Sequence, residues 1–171
     1  IVEDAGAPDK CSPDVQCEAI TLSLAGLSRK DLVAFEDVRN HVANTLYSWP
    51  VLKACFIVLS YVSDDVFEDF RHWIILNGEQ RYLSVINNPN ELANFMEVDD
   101  PIEEITGEPL MFVVENAWSG DIEELEKLVT IPEEPHILDD WPSKSELRDE
   151  FPDLYDRYWN EEAIKEIHGD S

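Results

Sequence analysis

Apolar and polar residues recur at a helical period along most of this chain, most clearly in residues 60–78, SYVSDDVFEDFRHWIILNG. At roughly 100° per residue, Phe67, Phe70, Trp73 and Ile74 fall within about 120° of arc, which predicts one buried helical face. Arg71 lies on the flank of that face, and Glu68 and His72 point together to the opposite, exposed side. Asp65 and Glu68 stand at capping-box spacing. Asp64 and Asp65 suit the positive end of the helix dipole, and Gly78 suits the position past the C-terminus.

Similar signals flank this stretch. Ser12-Pro13 reads as an N-cap followed by proline at the first helical position, with Val15, Ala19 and Leu22 leading to Leu24 and Gly26 as the stop. Ser28 and Asp31 form a second start signal. From there Leu32, Phe35, Val38, Val42, Leu46 and Trp49 hold one face over residues 29–48, with Glu36 and Arg39 outside its centre line. Pro50 imposes a break. Residues 51–62 are nearly all apolar, Lys53 being the only charge, and their length and flanking elements favour a helix enclosed by the others. Residues 79–86 predict a short helix with Tyr82, Val85 and Ile86 inward. Asn88-Pro89-Asn90-Glu91 is a third start signal, ahead of Leu92, Phe95 and Met96.

Beyond residue 97 the pattern weakens. Asp100-Pro101 opens a short helix toward Ile105 that Gly107 closes. Residues 110–118 suit a last core helix, and Ile122, Leu125 and Leu128 form a thin stripe. Pro132, Pro135 and Pro142 mark a linker over residues 130–145. One or two short helices carrying Phe151, Tyr155 and Trp159 follow, and then a frayed tail. The expected fold is all-α, a compact irregular multi-helix domain of roughly six to nine helices around the central apolar helix. Residues 1–129 form its helical core domain, and residues 130–171 a proline-containing linker and acidic C-terminal helical extension packed on the core.

Charge changes this picture more than composition does. With 44% hydrophobic residues the 171-residue chain can bury a core, but it carries 38 Asp plus Glu against 12 Lys plus Arg, a formal net charge of -26. The excess is uneven. Residues 1–96 hold 14 acids and 7 bases, net -7, and residues 97–171 hold 24 acids and 5 bases, net -19. Direct binding to a phosphate backbone needs clustered Lys or Arg and is excluded as an expectation. A basic protein partner fits, and so does a plain solvated surface.

Cys11, Cys17 and Cys55 match no disulfide framework and no zinc pattern. Cys55 reads as a small buried hydrophobe, whereas Cys11 and Cys17 could pair in an oxidising setting; reduced thiols and a cytoplasmic location are the expectation. No apolar run is long enough for a membrane span, and no signal peptide is expected in this numbering. HExxH, G-x-S-x-G, Walker and dinucleotide glycine patterns are absent, so no cofactor is expected.

Three stretches, LSRKDLVAFEDVRNHVANTLYSW, SDDVFEDFRHWIILNGEQRYLSVINNPNELANF and WPSKSELRDEFPDLYDRYW, resemble the bacterial family catalogued as domain of unknown function 4240. The resemblance runs from about Ser12 to Trp159. It is most specific at Asp64, Asp65, Phe67, Phe70, Arg71, Trp73 and Gly78, with Pro89 and Leu92 downstream, and it departs at Trp49-Pro50. It implies an all-helical cytosolic protein and no assigned activity.

Two sets of candidate site residues follow. Asp64, Asp65 and Glu68 are carboxylates that could hold a metal ion or position a base, with Arg71 steadying an anion, as in a metal-assisted hydrolase. For these residues capping, and for Arg71 an ion pair to a carboxylate of another helix, are the simpler accounts. His72 with Glu68 one turn earlier is at most half a metal site. Trp118, Trp141, Tyr155 and Trp159 lie in the acidic part and suit anchors of a protein interface. The leading expectation is a non-catalytic acidic interaction module for a basic protein, of inhibitor, immunity or regulatory type, with the hydrolase as the alternative.

Overall fold

A computed structural model describes residues 12–96, 105–137 and 140–168. The described residues form twelve α-helices and no strand, more and shorter elements than the periodicity suggests. They are α1 (Pro13–Leu24), α2 (Arg29–Thr45), α3 (Trp49–Leu59), α4 (Asp64–Leu76), α5 (Glu79–Asn87), α6 (Leu92–Phe95), α7 (Glu108–Met111), α8 (Val113–Ala117), α9 (Ile122–Leu128), α10 (Lys144–Glu150), α11 (Pro152–Tyr158) and α12 (Glu161–His168). A 3-10 turn, Pro89–Glu91, precedes α6. Among the described residues no single helix is long and apolar enough to cross a membrane. Residues 100–104 of the helix expected toward Ile105, and Cys11, lie outside the described residues.

The start signals work where the chemistry is local. Ser12 caps α1 with Pro13 at the first turn, Ser28 caps α2, and the Asn88 side chain accepts the Asn90 N–H. One start is displaced: Ser63, not Asp65, caps α4, accepting from the Val66 N–H at 3.3 Å. Asp64 and Asp65 therefore sit in the first turn, where the dipole favours them but no capping box forms. Within the tail after Trp159, expected to fray, residues 161–168 form the helix α12.

Two buried clusters make the core. The first surrounds α3, whose residues 51–59 are buried at every position except Leu52. Its walls are Phe67, Phe70 and Trp73 of α4, Leu92 of α6, and Leu147, Phe151, Leu154 and Tyr155 of α10 and α11. The C-terminal part, from residue 130 onward, thus contributes four buried side chains to the central cluster. The second cluster joins Cys17, Ile20 and Leu24 of α1 to Leu32, Leu76, Val113, Val114, Trp118 and Leu125.

Placement around α3 differs from expectation. The chain bends by 82° between α2 and α3. As a result α2 packs mainly on α4 and α8, while α11 is the chief partner of α3. Buried Asn90 locks α11 in place: it accepts the Leu154 N–H at 3.0 Å and donates to Asp153 at 2.8 Å, satisfying the first turn of that helix.

Two helix faces are rotated from their predicted positions. On α1 the buried residues are Gln16, Cys17, Ile20 and Leu24, while Val15 and Leu22 are exposed. Gln16 is inside because its amide donates to the Leu76 carbonyl at the end of α4, at 2.8 Å. On α2, Val38 is exposed and Glu36 is buried instead, forming a bidentate pair with Arg39.

Candidate functional site

The α4 residues singled out by the sequence do not form a chemical centre. Asp64, Asp65 and Glu68 are exposed at the start of α4. Among the described residues, no three His, Cys, Asp or Glu side chains come together as a group able to hold a metal ion. Arg71 is buried rather than poised for an anion. It stacks against Tyr47 and Phe67 and donates to the carbonyls of Ala43 at 3.2 Å and Phe67 at 3.3 Å, with no carboxylate of the described residues bonded to it. Burial lowers its pKa.

His72, expected on the exposed side, is 1% exposed. Two neighbours close over that face of α4. On one side the segment at Gly107 lies so close that a Cβ there would stand 2.2 Å from the Trp73 backbone nitrogen. The Gly107 N–H donates to Asp69 at 3.0 Å. On the other side Arg39 of α2 donates to His72 Nε2. Because a guanidinium can only donate, Nε2 is the acceptor, and the ring proton is on Nδ1, which donates to the Glu68 carbonyl at 2.9 Å. Burial, and then the charge of Arg39, drive the His72 pKa down to about 3. This neutral histidine belongs to the packing of α2 on α4, not to a ligand pair with the Glu68 carboxylate.

The two described cysteines are equally removed from chemistry. Cys17 and Cys55 are buried free thiols, and burial pushes the Cys17 pKa up to about 12 and raises that of Cys55. Such thiols carry almost no nucleophilic thiolate at neutral pH.

The four candidate anchors separate. Trp118 is buried, its indole N–H donating to the Asp121 carbonyl at 3.1 Å and its ring covered by Arg29. Tyr155 is buried and stacked on Trp159, ring centroids 4.7 Å apart. Trp159 is half-buried against Phe56. Trp141 alone among the four is open, at 46% exposure, held edge-on by Trp49 at 5.4 Å and Phe56 at 4.9 Å.

Trp141 opens onto a cleft of about 640 Å³ between the start of α3 and the start of α10. Trp49, Trp141 and Pro142 make its apolar wall, and Asp140, Glu146, Asp149 and Glu150 its acidic side. Lys53 forms the floor, almost wholly buried and ion-paired to Glu150. Local capping fixes the acidic side. Ser143 and Glu146 form a full capping box at the start of α10, which sets Asp149 and Glu150 one turn further on. Sequence reasoning did not assign Trp49, Lys53 or these carboxylates to a site. The available signals were the single charge in the apolar run of α3 and the Ser143–Glu146 spacing.

The fold and this cleft define an all-helical acidic domain with an aromatic, carboxylate-lined recess. The chain belongs to the family described as "Protein of unknown function (DUF4240)", whose model matches residues 1–119. No curated protein and no solved structure matches the chain.

Proposed function

We propose that this chain is a non-catalytic binding module that recognises a positively charged protein through its acidic C-terminal part. The observation that carries this reading is that four of the five cations of that part are already engaged internally. Of the five bases in residues 97–171, Lys127 pairs with Glu123, Lys144 with Glu161 and Arg148 with Asp156, and Arg157 donates to the Ala93 carbonyl at 2.7 Å. The described carboxylates of that part are all exposed, and the open ring of Trp141 stands among them. Such a field accelerates encounter with a basic partner and disfavours acidic ones. A half-exposed tryptophan supplies the apolar contact that charge alone does not.

The test is affinity capture from native cells with the tagged chain, at low salt and again near about 0.5 M salt, where the Debye length is about 4 Å. A stoichiometric basic protein whose retention falls with salt is expected. Recovery of no specific partner, or of a neutral one indifferent to salt, overturns the reading.

A further inference from the structure

Four aromatic rings in the C-terminal region carry a cation of the chain itself: Phe151 lies under Lys53, Trp159 under Lys144, Tyr155 under Arg148 and Tyr158 under Arg157. Three of these cations are simultaneously paired with a carboxylate, those of Glu150, Glu161 and Asp156. Ring, cation and carboxylate together are thus the repeated unit from which this part of the molecule is assembled. Trp49 and Trp141, the two rings that line the cleft, have no cation of the described residues over them. They nevertheless stand beside the acidic side of the cleft, and Asp149 there makes no hydrogen bond or ion pair with a described residue.

We propose that the cleft receives an arginine side chain of the basic partner, with the guanidinium lying against Trp141 and bonded to Asp149. The proposal rests on the binding reading above and names its anchor. Arginine suits the recess better than lysine, because its planar head stacks on an indole while its N–H fork meets a carboxylate. The Lys53–Glu150 pair keeps the floor of the cleft from attracting a second cation, which directs the guest toward the Trp141 side. The cleft, about 640 Å³, is open to solvent and leaves room for the residues flanking the arginine. Trp49 and Lys53 lie within the family match over residues 1–119, but Trp141 and the four carboxylates lie beyond it.

The test titrates the full chain, at low salt, with an oligoarginine peptide and an oligolysine peptide of equal length. Calorimetry gives the affinity, and the indole N–H resonance of Trp141, assigned by its loss in Trp141→Phe, reports the site. Asp149→Arg sits on an exposed residue bonded to no described residue and is not expected to disturb folding; Glu126→Arg, at an exposed position of α9, makes the same change in net charge away from the cleft. The expected result is tighter binding of oligoarginine, a shift of the Trp141 resonance, a loss of about tenfold in Asp149→Arg and a change of about twofold or less in Glu126→Arg. Equal losses in the two variants, or a Trp141 resonance that does not move, overturn the cleft while the acidic-surface reading stands. Absence of binding by both peptides overturns the two together.

Discussion

The buried histidine makes the most quantitative prediction. His72 is held neutral, with its Nδ1–H on the Glu68 carbonyl and its Nε2 facing the Arg39 guanidinium, itself paired with Glu36; Arg71, the other nearby charge, also opposes protonation. Protonating the ring in place would set an N–H donor against an N–H donor and add a cation beside two others. The folded pKa is about 3 against an ordinary 6.5, so between these values the unfolded chain binds a proton that the folded chain does not. The stability His72 contributes is complete above pH 6.5 and is lost as pH falls toward 3. At pH 4.5, two units below the unfolded value, the loss is about 2.7 kcal/mol, at about 1.4 kcal/mol per unit. Because pH 4.5 still lies above the folded pKa, the figure depends chiefly on the unfolded titration.

Carboxylates also titrate in this range, and with opposite sign where burial raises them, as it does Asp69. A whole-protein pH profile therefore mixes terms, and the informative quantity is a difference. In His72→Gln the amide offers Arg39 an acceptor but takes up no proton. Urea melts of both proteins at about pH 7.5 and 4.5 are expected to show the wild type losing about 2.7 kcal/mol more than the variant. Parallel losses in the two would refute the assignment of His72 as a buried neutral acceptor.

Three further outcomes follow from local geometry. Ser63→Ala is expected to cost about 0.5–2 kcal/mol by removing the cap of α4, and Asp65→Asn less than about 0.5 kcal/mol; a larger loss at Asp65 in denaturant melts would restore the capping box to that residue. Gly107→Ala forces a methyl into the α4 backbone and is expected to destabilise by about 3 kcal/mol or to prevent folding. Gly26→Ala, with nothing within 4 Å of the added carbon, is expected to stay within about 1 kcal/mol of the wild type by thermal melting. Indistinguishable melts for the two glycine variants would contradict the close approach at residue 107.

What was legible in the sequence was what the chain decides within a few residues. Ser12-Pro13, Ser28 and Asn88-Pro89 start helices because a side-chain oxygen three or fewer positions away satisfies the first free N–H groups. The apolar run of α3 needs no period to be read as central, since nearly all of its sides are covered. Where the reading failed, the deciding contact came from far along the chain. His72 is buried by Gly107 and Arg39, Gln16 is drawn inside by the Leu76 carbonyl, and Glu36 is sheltered by its pair with Arg39. Periodicity ranks side chains by polarity and cannot foresee a polar group whose partner arrives from another helix. The cleft was illegible for the same reason, because it brings residue 53 against residue 150 and residue 49 against residue 141.

Recognition of one basic protein at the Trp141 cleft has its own signature in a capture experiment. Its most direct measurement is quantitative mass spectrometry of proteins captured side by side on wild-type and Asp149→Arg baits, at low salt. One basic protein is expected, enriched in near-stoichiometric amount on the wild type and strongly depleted on the variant, while the weak background of other basic proteins is the same on both. An identical set of captured proteins on the two baits, or a specific partner that is neutral or acidic, would contradict it.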